Sequence, residues 1–474
     1  MKRRDFVQSL LAATAVSVAA PTSLSAQADE QHDSSPSTDL KPEEFAYAHG
    51  PITGPLARGL MPPDTLSPLP QSSHFSGIRF TGRYRDYHET IEADTWYPSW
   101  AADGLLYSPF ADGRVKRSSG EWVGSRCYWD PGWYPPELWF RKLGRQFSKG
   151  RITTEIPKQS STGNAVLSGA DPFALTVSPL ESSNYESTRY EGYYPCANLF
   201  YKNVWYYGRY YCHRWLNDHS IPITYELGGF GGFRISLDRG KSWQETPFDD
   251  KHPLFPEAGR CSGGAPIKLG TPHFVDFGRE LEHSPDGYAY LAGHGTRDPE
   301  GICNWSSGDA VFLARVRPSP ETINRADAWE FYSGKDSTGH PVWSKDFTKI
   351  VPIIEWPGHA GCVNITYHPG MRKYLGILCS GWQDGDGGTY DTWVIESNDL
   401  TGPWFNIAYL KGMGVQPYFV CAPSKFLGPG SKVVLFYSAN WRADRPGVTS
   451  WKDPNGPPGR YSLCVAEFEL LESR

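Results

Sequence analysis

The feature that most constrains this chain is a strand–turn–strand unit that recurs five times. Each copy has two short runs of strand-forming residues on either side of a turn rich in Gly, Pro, Asn or Asp. The copies lie at residues 94–113, 196–212, 272–295, 362–382 and 418–441. No stretch of the chain has long helical periodicity. A unit of this size cannot bury its apolar face alone, so its copies must pack against one another.

The five units span about 400 residues and predict an all-β fold, a five-bladed β-propeller. A strand at residues 77–84 and a last strand at residues 461–470 are expected to meet in one blade and close the ring, which removes free sheet edges. A six- or seven-bladed count stays open because the Trp-rich stretch 118–170 has room for further strands. A β-sandwich or jelly roll also fits the pattern.

The N-terminal region is predicted to consist of an export signal followed by a flexible linker. Basic residues 2–4 precede an apolar stretch and a small-x-small site at residues 26–28, a pattern typical of a signal peptide over residues 1–28. The adjacent Arg3 and Arg4 favour the twin-arginine type, with an ordinary secretory signal as the alternative. Residues 29–73 are rich in Ser, Pro, Asp and Glu and predict a flexible linker. A catalytic propeller domain at 74–474, exported to the periplasm or outside the cell, follows from this division.

The charge balance and the cysteines exclude several classes of protein. The chain carries 46 Lys and Arg against 52 Asp and Glu, so nothing in it favours a nucleic-acid partner. No apolar run after the signal is long enough for membrane insertion. The nine cysteines form no CxxC motif, so a metal finger is excluded and most are expected to be buried small hydrophobes. The oligomeric state is not indicated.

Two phrases carry a resemblance to known propellers. Residues 236–243 read SLDRGKSW and match the aspartate box of sialidase-like propellers. Residues 396–404 read ESNDLTGPW and resemble an outer hairpin of five-bladed glycosidases of the arabinanase and xylosidase type. Over residues 78–470 the chain resembles secreted bacterial propellers, some of them related to endo-arabinan hydrolases. The resemblance implies the fold, and glycosidic-bond cleavage as an expectation, although both phrases are turn signatures without chemistry of their own.

Propeller geometry brings the start of each first strand and the end of each second strand to one rim. Asp94 opens the innermost strand of the first unit, where the resemblance implies a general base. Glycoside hydrolysis needs a second carboxyl group, and Asp276 or Asp309 is predicted as acid or modulator, with Asp112 as a further partner. No inner-strand Glu matches the general acid that the resemblance implies, and Glu355 is the nearest substitute. The predicted substrate-binding residues on this rim are Asp112, Arg114, Trp96, His273, Trp382, Gln416, Tyr418 and Asn440.

The predicted function is therefore that of a secreted glycoside hydrolase acting on a poly- or oligosaccharide. A polysaccharide lyase is the first alternative, in which His294 removes a proton from a uronate and Arg297 or Arg114 faces the uronate carboxylate. A non-catalytic glycan-binding propeller is the second. No spacing of ligand residues indicates a metal or other cofactor. A Ca²⁺ ion in the central channel is implied by the resemblance only.

Overall fold

The structure is a computed structural model, and it describes residues 67–124, 161–184, 192–215, 224–257, 259, 266–297, 303–305, 308–380, 391–410, 418–439 and 460–473. In this part of the chain the backbone is almost entirely β, and the helical segments are the single 3-10 turns Arg279–Leu281, Ala326–Ala328, Phe347–Lys349 and Ser424–Phe426. No helix within the described ranges is long and apolar enough to cross a membrane.

The strands form five sheets, each one blade. The first strand, β1 (Phe75–Asp86), belongs to blade 5. Blade 1 contains β2 (Ile91–Asp94), β3 (Ser99–Trp100), β4 (Leu106–Lys116), β5 (Trp122–Gly124), β6 (Ser161–Ser168) and β7 (Thr176–Asn184). Blade 2 contains β8 (Gly192–Tyr201), β9 (Val204–Trp215) and β10 (Thr224–Ser236). Blade 3 contains β11 (Gly270–Phe274), β12 (Ala289–Gly295), β13 (Ala310–Val316), β14 (Glu330–Lys335), β15 (Pro341–Ser344) and β16 (Pro352–Glu355).

The last two blades complete the ring. Blade 4 contains β17 (Asn364–His368), β18 (Lys373–Ser380), β19 (Asp391–Ser397) and β20 (Phe405–Leu410). Blade 5 contains β21 (Tyr418–Cys421), β22 (Lys432–Ser438), β23 (Cys464–Glu472) and β1. Neighbouring blades contact each other in chain order, and β2 of blade 1 contacts β22 of blade 5. The five-bladed prediction is confirmed, and β5 and β6, which lie in the Trp-rich stretch, are part of blade 1 rather than of a further blade.

The ring is closed by pairing between the two ends of the described chain. β1 runs antiparallel to β23, from Phe75 opposite Glu472 to Asp86 opposite Cys464. Inside this pair the rings of Phe80 and Phe468 meet edge to face at 6.1 Å. β1 is longer than predicted at both ends. The last strand begins at Cys464 rather than at 461, because the chain bends at residues 461 and 462 before it joins the sheet.

The residues before β1 are held against blade 4. Gln71 forms a parallel bridge with Asn406, and the hydroxyl of Ser72 donates to the buried carboxylate of Glu396 at 2.5 Å. The same carboxylate accepts a hydrogen bond from Lys373 at 2.7 Å. Contacts with the propeller therefore begin a few residues before the domain boundary expected at residue 74.

Local turn chemistry accounts for the phrases singled out in the sequence. In the aspartate box, Asp238 accepts hydrogen bonds from the backbone and the hydroxyl of Ser242 at 2.8 and 2.6 Å. Gly240 adopts a φ of 84°, and the turn brings Trp243 against Trp205 with ring centroids 5.1 Å apart. Between β8 and β9, Lys202 and Asn203 both have positive φ, as a tight hairpin turn requires.

The described cysteines behave as core residues. They are buried and none forms a disulfide, which agrees with the expectation of buried small hydrophobes; they are Cys196, Cys212, Cys303, Cys362, Cys379, Cys421 and Cys464. Cys127 and Cys261 lie outside the described residues.

A left-handed residue recurs once in the innermost chain segment of every blade. Thr95, Ala197, Thr271, Cys362 and Phe419 have φ between 35° and 70°, and none of them is glycine. In blades 2, 3 and 5 this residue coincides with a shift of strand register. Such a conformation is unfavourable for residues with a β-carbon, by about 1–2 kcal/mol each. The surrounding structure therefore imposes the same bend on all five innermost segments.

We expect Phe468→Ala to weaken ring closure. Phe468 lies on β23, which pairs with β1 on one side and β22 on the other, and its side chain is fully buried. Its truncation should lower the free energy of unfolding by about 3–5 kcal/mol. Denaturant unfolding monitored by tryptophan fluorescence measures this change. Val342→Ala, at a side chain that is 40% exposed, is the control and should change stability by less than about 0.5 kcal/mol. A loss below about 1 kcal/mol for Phe468→Ala would contradict the role given to the closing pair.

Candidate active site

Two buried aspartates lie on neighbouring strands of blade 1. Asp94 ends β2 and pairs with Ala111 of β4, so Asp112 is the next residue along the facing strand. This offset places the two Cα atoms roughly 6 Å apart. Their exposed fractions are 3% and 7%. Burial raises the pKa of Tyr210 in blade 2 well above its usual value, and the thiols of Cys212 and Cys196 and then the carboxyl groups of Asp112 and Asp94 add to the rise, so the pair lies near this tyrosine.

Side chains from three blades hold the pair. The hydroxyl of Thr95 donates to Asp94 Oδ1 at 2.5 Å. Tyr194 of blade 2 donates to Asp112 Oδ1 at 3.4 Å, and Tyr461 of blade 5 donates to the backbone carbonyl of Asp112 at 2.7 Å. Thr95 and Asp112 both have left-handed backbone, with φ of 70° and 51°. Unfavourable backbone conformations of this kind collect at functional sites, where the surroundings hold them in place.

Below the aspartate pair, three aromatic side chains meet where the innermost segments converge. The ring of Tyr97, from blade 1, lies 3.9 Å from the imidazole of His273 in blade 3 and 5.3 Å from the ring of Phe419 in blade 5. Burial is the main cause that raises the pKa of Tyr97 well above its usual value. We call this contact the floor of the site, since its three side chains come from blades 1, 3 and 5 and lie just past Asp94 along the innermost segments.

A cavity of about 30 Å³ borders this floor and is lined by all five blades, through Pro98, Asn198, His273, Asn364 and Cys421 among others. Three buried polar atoms around it have no hydrogen-bond partner among the residues that the structure describes: Tyr97 Oη, His273 Nε2 and Asn364 Nδ2. Burial, and to a smaller extent His294, lowers the pKa of His273 to about 3. The imidazole is therefore neutral at physiological pH.

The residues around this cavity do not fit the Ca²⁺ ion that the resemblance implies. Ca²⁺ takes six to eight oxygen ligands. Asp276, which lines the cavity, already accepts three hydrogen bonds, and the hydroxyl of Thr366 donates to the carbonyl of Ala422. His273 offers nitrogen, and the amide nitrogen of Asn364 can only donate. Within the described part of the chain, a group of three ligand-type side chains occurs at Asp86, His88 and Glu89, at and just after the end of β1.

The structure does not bring Asp276 next to Asp94. Asp276 follows β11 and accepts hydrogen bonds from the backbone and the hydroxyl of Ser424 at 2.8 and 2.7 Å and from Gly278 at 3.0 Å. Burial raises its pKa. Thr95 and Thr271 are the left-handed residues of blades 1 and 3. Asp94 comes one residue before Thr95, whereas Asp276 comes five residues after Thr271. The two aspartates are therefore about six residues apart along the strand direction, on the order of 15–20 Å. Two carboxyl groups that flank a glycosidic bond are roughly 5–9.5 Å apart, so Asp276 is too far from Asp94. It joins blade 3 to blade 4 through a bridge with Thr366 and to blade 5 through Ser424.

Asp309 also lies away from the pair. It precedes β13, two strands outside the innermost strand of blade 3, which corresponds to about 10 Å. Its carboxylate accepts a hydrogen bond from the backbone of Gly358 at 3.1 Å. Glu355, the proposed substitute acid, is exposed and forms an ion pair with Arg297 at 2.8 Å.

His294 does not face a substrate. The residue is fully buried, with Nε2 2.6 Å from the carbonyl of Asn304 and Nδ1 3.4 Å from the hydroxyl of Thr271. Burial lowers its pKa to about 4. Since both ring nitrogens have protein partners, this residue lacks the access that a base in a lyase needs.

The predicted binding residues have varied surroundings. Trp96 is buried, stacks on Phe110 and donates to the carbonyl of Ala93, so it is a core residue rather than a sugar platform. Arg114 pairs with Glu92 at 2.8 Å and stacks on Trp122. The remaining four predicted positions, Trp382, Gln416, Asn440 and the side chain of Tyr418, lie outside the described residues.

Among the buried acids that the sequence reasoning missed, Glu257 has a raised pKa. Glu257 is 1% exposed, and its Oε2 accepts hydrogen bonds from the backbone of Lys268 and Leu269, where the chain enters β11. Its Oε1 has no hydrogen-bond partner within the described ranges, and burial raises the pKa of Glu257 to about 7. The sequence around it is an ordinary Pro- and Gly-containing loop, so no local signal marks it. Tyr194 and Tyr461 were also missed, because no local sequence signal marks either tyrosine.

Comparison with known proteins gives no family for the chain and only a distant structural likeness. Neither a scan against protein-family models nor a search of the curated proteins found a match to the chain. Among solved structures, the GH43_1 enzyme from Xanthomonas citri complexed with xylotriose is 12% identical, covers 80% of this chain and 87% of its own, and has a TM-score of 0.36. The endo-1,5-alpha-L-arabinanase from Thermotoga petrophila is 12% identical, with 81% and 75% covered and a TM-score of 0.35.

A third match shows how little such likeness says about chemistry. An N-acetylgalactosamine deacetylase from F. plautii in complex with blood group B trisaccharide is 12% identical, with 85% and 96% covered and a TM-score of 0.37. The matches thus include an arabinanase and a deacetylase. At TM-scores below 0.5 the likeness carries no argument, and the reaction must be argued from the site.

We expect Glu257 to make stability depend on pH. Because burial raises its pKa from 4.5 to about 7, the protonated form favours folding below about pH 4.5, and this contribution is lost as the pH rises through 7. Between pH 4.5 and 7.5 the free energy of unfolding of the wild type should therefore fall by about 2–3 kcal/mol relative to that of Glu257→Gln, which has no carboxyl group to titrate at this position. Denaturant titrations at a series of pH values measure the difference.

The comparison of variant with wild type cancels the opposing contributions of His273 and His294, which both proteins share. Glu121→Gln, at a carboxylate that is 63% exposed, is the matched control and should follow the wild-type pH dependence. Parallel curves for Glu257→Gln and the wild type would show that Glu257 does not retain its proton on folding.

Proposed function

We propose that this protein is a carbohydrate-active enzyme that hydrolyses glycosidic bonds of a poly- or oligosaccharide, with Asp94 and Asp112 as its two carboxyl groups. The observation that carries the proposal is their side-by-side burial on β2 and β4. The sequence analysis predicted Asp94 as the base, at the innermost strand of the first unit. It gave Asp112 as one of three candidates for the second carboxyl group. The distances favour Asp112 over Asp276 and Asp309.

The two carboxyl groups have different roles in this proposal. Like charges this close do not both ionise readily, so the pair holds one proton in its active form. The short hydrogen bond from Thr95 favours the ionised form of Asp94, which then acts as the base or nucleophile. Asp112 keeps the proton and gives it to the leaving oxygen of the glycosidic bond. A water molecule then supplies its oxygen to the anomeric carbon and gives its proton to the carboxyl pair, at Asp94 if Asp94 acts as the base, or at Asp112 if water cleaves a covalent ester with Asp94. The pair again holds one proton, and the proton first given by Asp112 leaves with the product as its new hydroxyl hydrogen.

The floor made by Tyr97, His273 and Phe419 decides how substrate reaches the pair. These side chains block the centre of the ring, so a glycan enters from the face that carries Asp94. The alternative as a lyase has no supporting observation, since His294 is buried with both nitrogens engaged. The predicted signal peptide at residues 1–28 adds the proposal that the enzyme acts outside the cytoplasm.

We expect Asp94→Asn and Asp112→Asn each to reduce turnover by about 10³-fold, because each removes one member of the acid–base pair. The assay incubates the mature protein with plant arabinans, rhamnose–glucuronate polymers and algal sulfated glycans. Reducing ends and ultraviolet absorbance are followed together. Hydrolysis produces reducing ends without absorbance, whereas β-elimination produces both.

Asp327→Asn is the matched control, because this carboxylate is exposed at the surface and pairs with Arg325. It should retain full activity, and all three variants should unfold at the wild-type temperature within a few degrees. Full turnover by Asp94→Asn, or absorbance that rises with the reducing ends, would exclude the proposed mechanism.

A further inference from the structure

We propose that Tyr461 is a positioning residue of this site, which holds Asp112 in the left-handed conformation that directs its carboxyl group towards Asp94. The inference rests on the function proposed above. It adds a residue that lies far from blade 1 in the chain, in the segment that leads into β23 of blade 5.

The first support is the contact itself. The side chain of Tyr461 is buried, and its hydroxyl donates to the backbone carbonyl of Asp112 at 2.7 Å. Asp112 has a φ of 51°, a conformation that is uncommon outside glycine and that aspartate adopts more readily than most residues. A hydrogen bond to the carbonyl fixes the orientation of the peptide group that follows Asp112. Tyr461 is therefore placed to maintain the unusual backbone.

The second support is the tight approach of β2 and β4 at this point. A β-carbon at Gly113 would lie 1.8 Å from the carbonyl oxygen of Glu92, so the next position tolerates only glycine. The strand register also shifts between Glu92 and Asp94. A bulge of this kind re-aims the side chains beside it. The direction of the Asp112 carboxyl group thus depends on a backbone bend that Gly113 permits and Tyr461 holds.

The third support is that two tyrosines bind different parts of Asp112. Tyr194 of blade 2 donates to the carboxylate of Asp112 at 3.4 Å, while Tyr461 of blade 5 binds its backbone. Without the hydroxyl of Tyr461, the backbone of Asp112 can relax to an extended conformation. The carboxyl group would then move away from Asp94, and the electrostatic coupling within the pair would weaken.

The test is Tyr461→Phe, which keeps the buried ring and removes only the hydroxyl. We expect kcat to fall about 10- to 100-fold with KM within about twofold, because proton donation is impaired while binding is kept. The alkaline limb of the pH–rate profile should move to lower pH, since a decoupled donor loses its proton more easily. A merely structural tyrosine would not move that limb.

Tyr87→Phe is the matched control, because the hydroxyl of Tyr87 is also buried and donates to a backbone carbonyl, that of Pro172, at 2.8 Å. It should leave kcat and the pH profile unchanged. Any loss of stability common to both variants is measured by thermal unfolding and separated from the effect on catalysis.

A second readout does not need activity. Protein labelled with ¹³C at the aspartate carboxyl carbons is titrated by NMR, and Asp112→Asn and Asp94→Asn identify the two signals. In Tyr461→Phe the two titrations of the pair should move towards each other. If the wild type cleaves no glycan yet this shift occurs, the proposed function fails and the positioning role stands. Unchanged titrations in Tyr461→Phe would overturn the positioning role, whatever the activity.

Discussion

The structure depends on a bend that all five innermost segments share. One residue with a β-carbon is held in left-handed conformation in each blade, and no blade uses glycine for it. The cost of five such residues is offset by the packing of the segments against one another where they converge. Because the bend recurs at the same place in each unit, the five segments present equivalent positions to the centre of the ring, and side chains from different blades meet there.

This equivalence makes the candidate site a matter of side chains on a common backbone. The residue before the left-handed position is Asp94 in blade 1, Cys196 in blade 2 and glycine in blades 3 and 4. A carboxylate therefore occupies this position in blade 1 alone among these four. Asp112 adds the second acid from the neighbouring strand, at a bend of its own. Blade 1 thus differs from its neighbours in chemistry rather than in architecture.

What the sequence could predict follows from how local each signal is. The turn at Lys202 and Asn203 and the aspartate box are determined by a few adjacent residues, and the five hairpins followed from such turns. The depth of Asp276 and the burial of His294 depend on strand register and on Asn304, which a periodic pattern does not disclose. Glu257 becomes notable only through burial by distant residues. Asp94 and Asp112 could be predicted from the sequence because they belong to the first two strands of the first hairpin unit, which adjacent residues define.

The pairing of β1 with β23 also determines when the molecule can be completed. Phe75 lies opposite Glu472, so the first described strand, β1, can pair only after the last described strand, β23, has been synthesised. Until then the edge of β1 that faces β23 is unpaired, and an unpaired edge attracts other strands. Blades 1 to 4 need no such delay, because their strands come from continuous stretches of chain. Closure of the ring is therefore the last step of assembly among the described strands, and blades 1 to 4 can form before it.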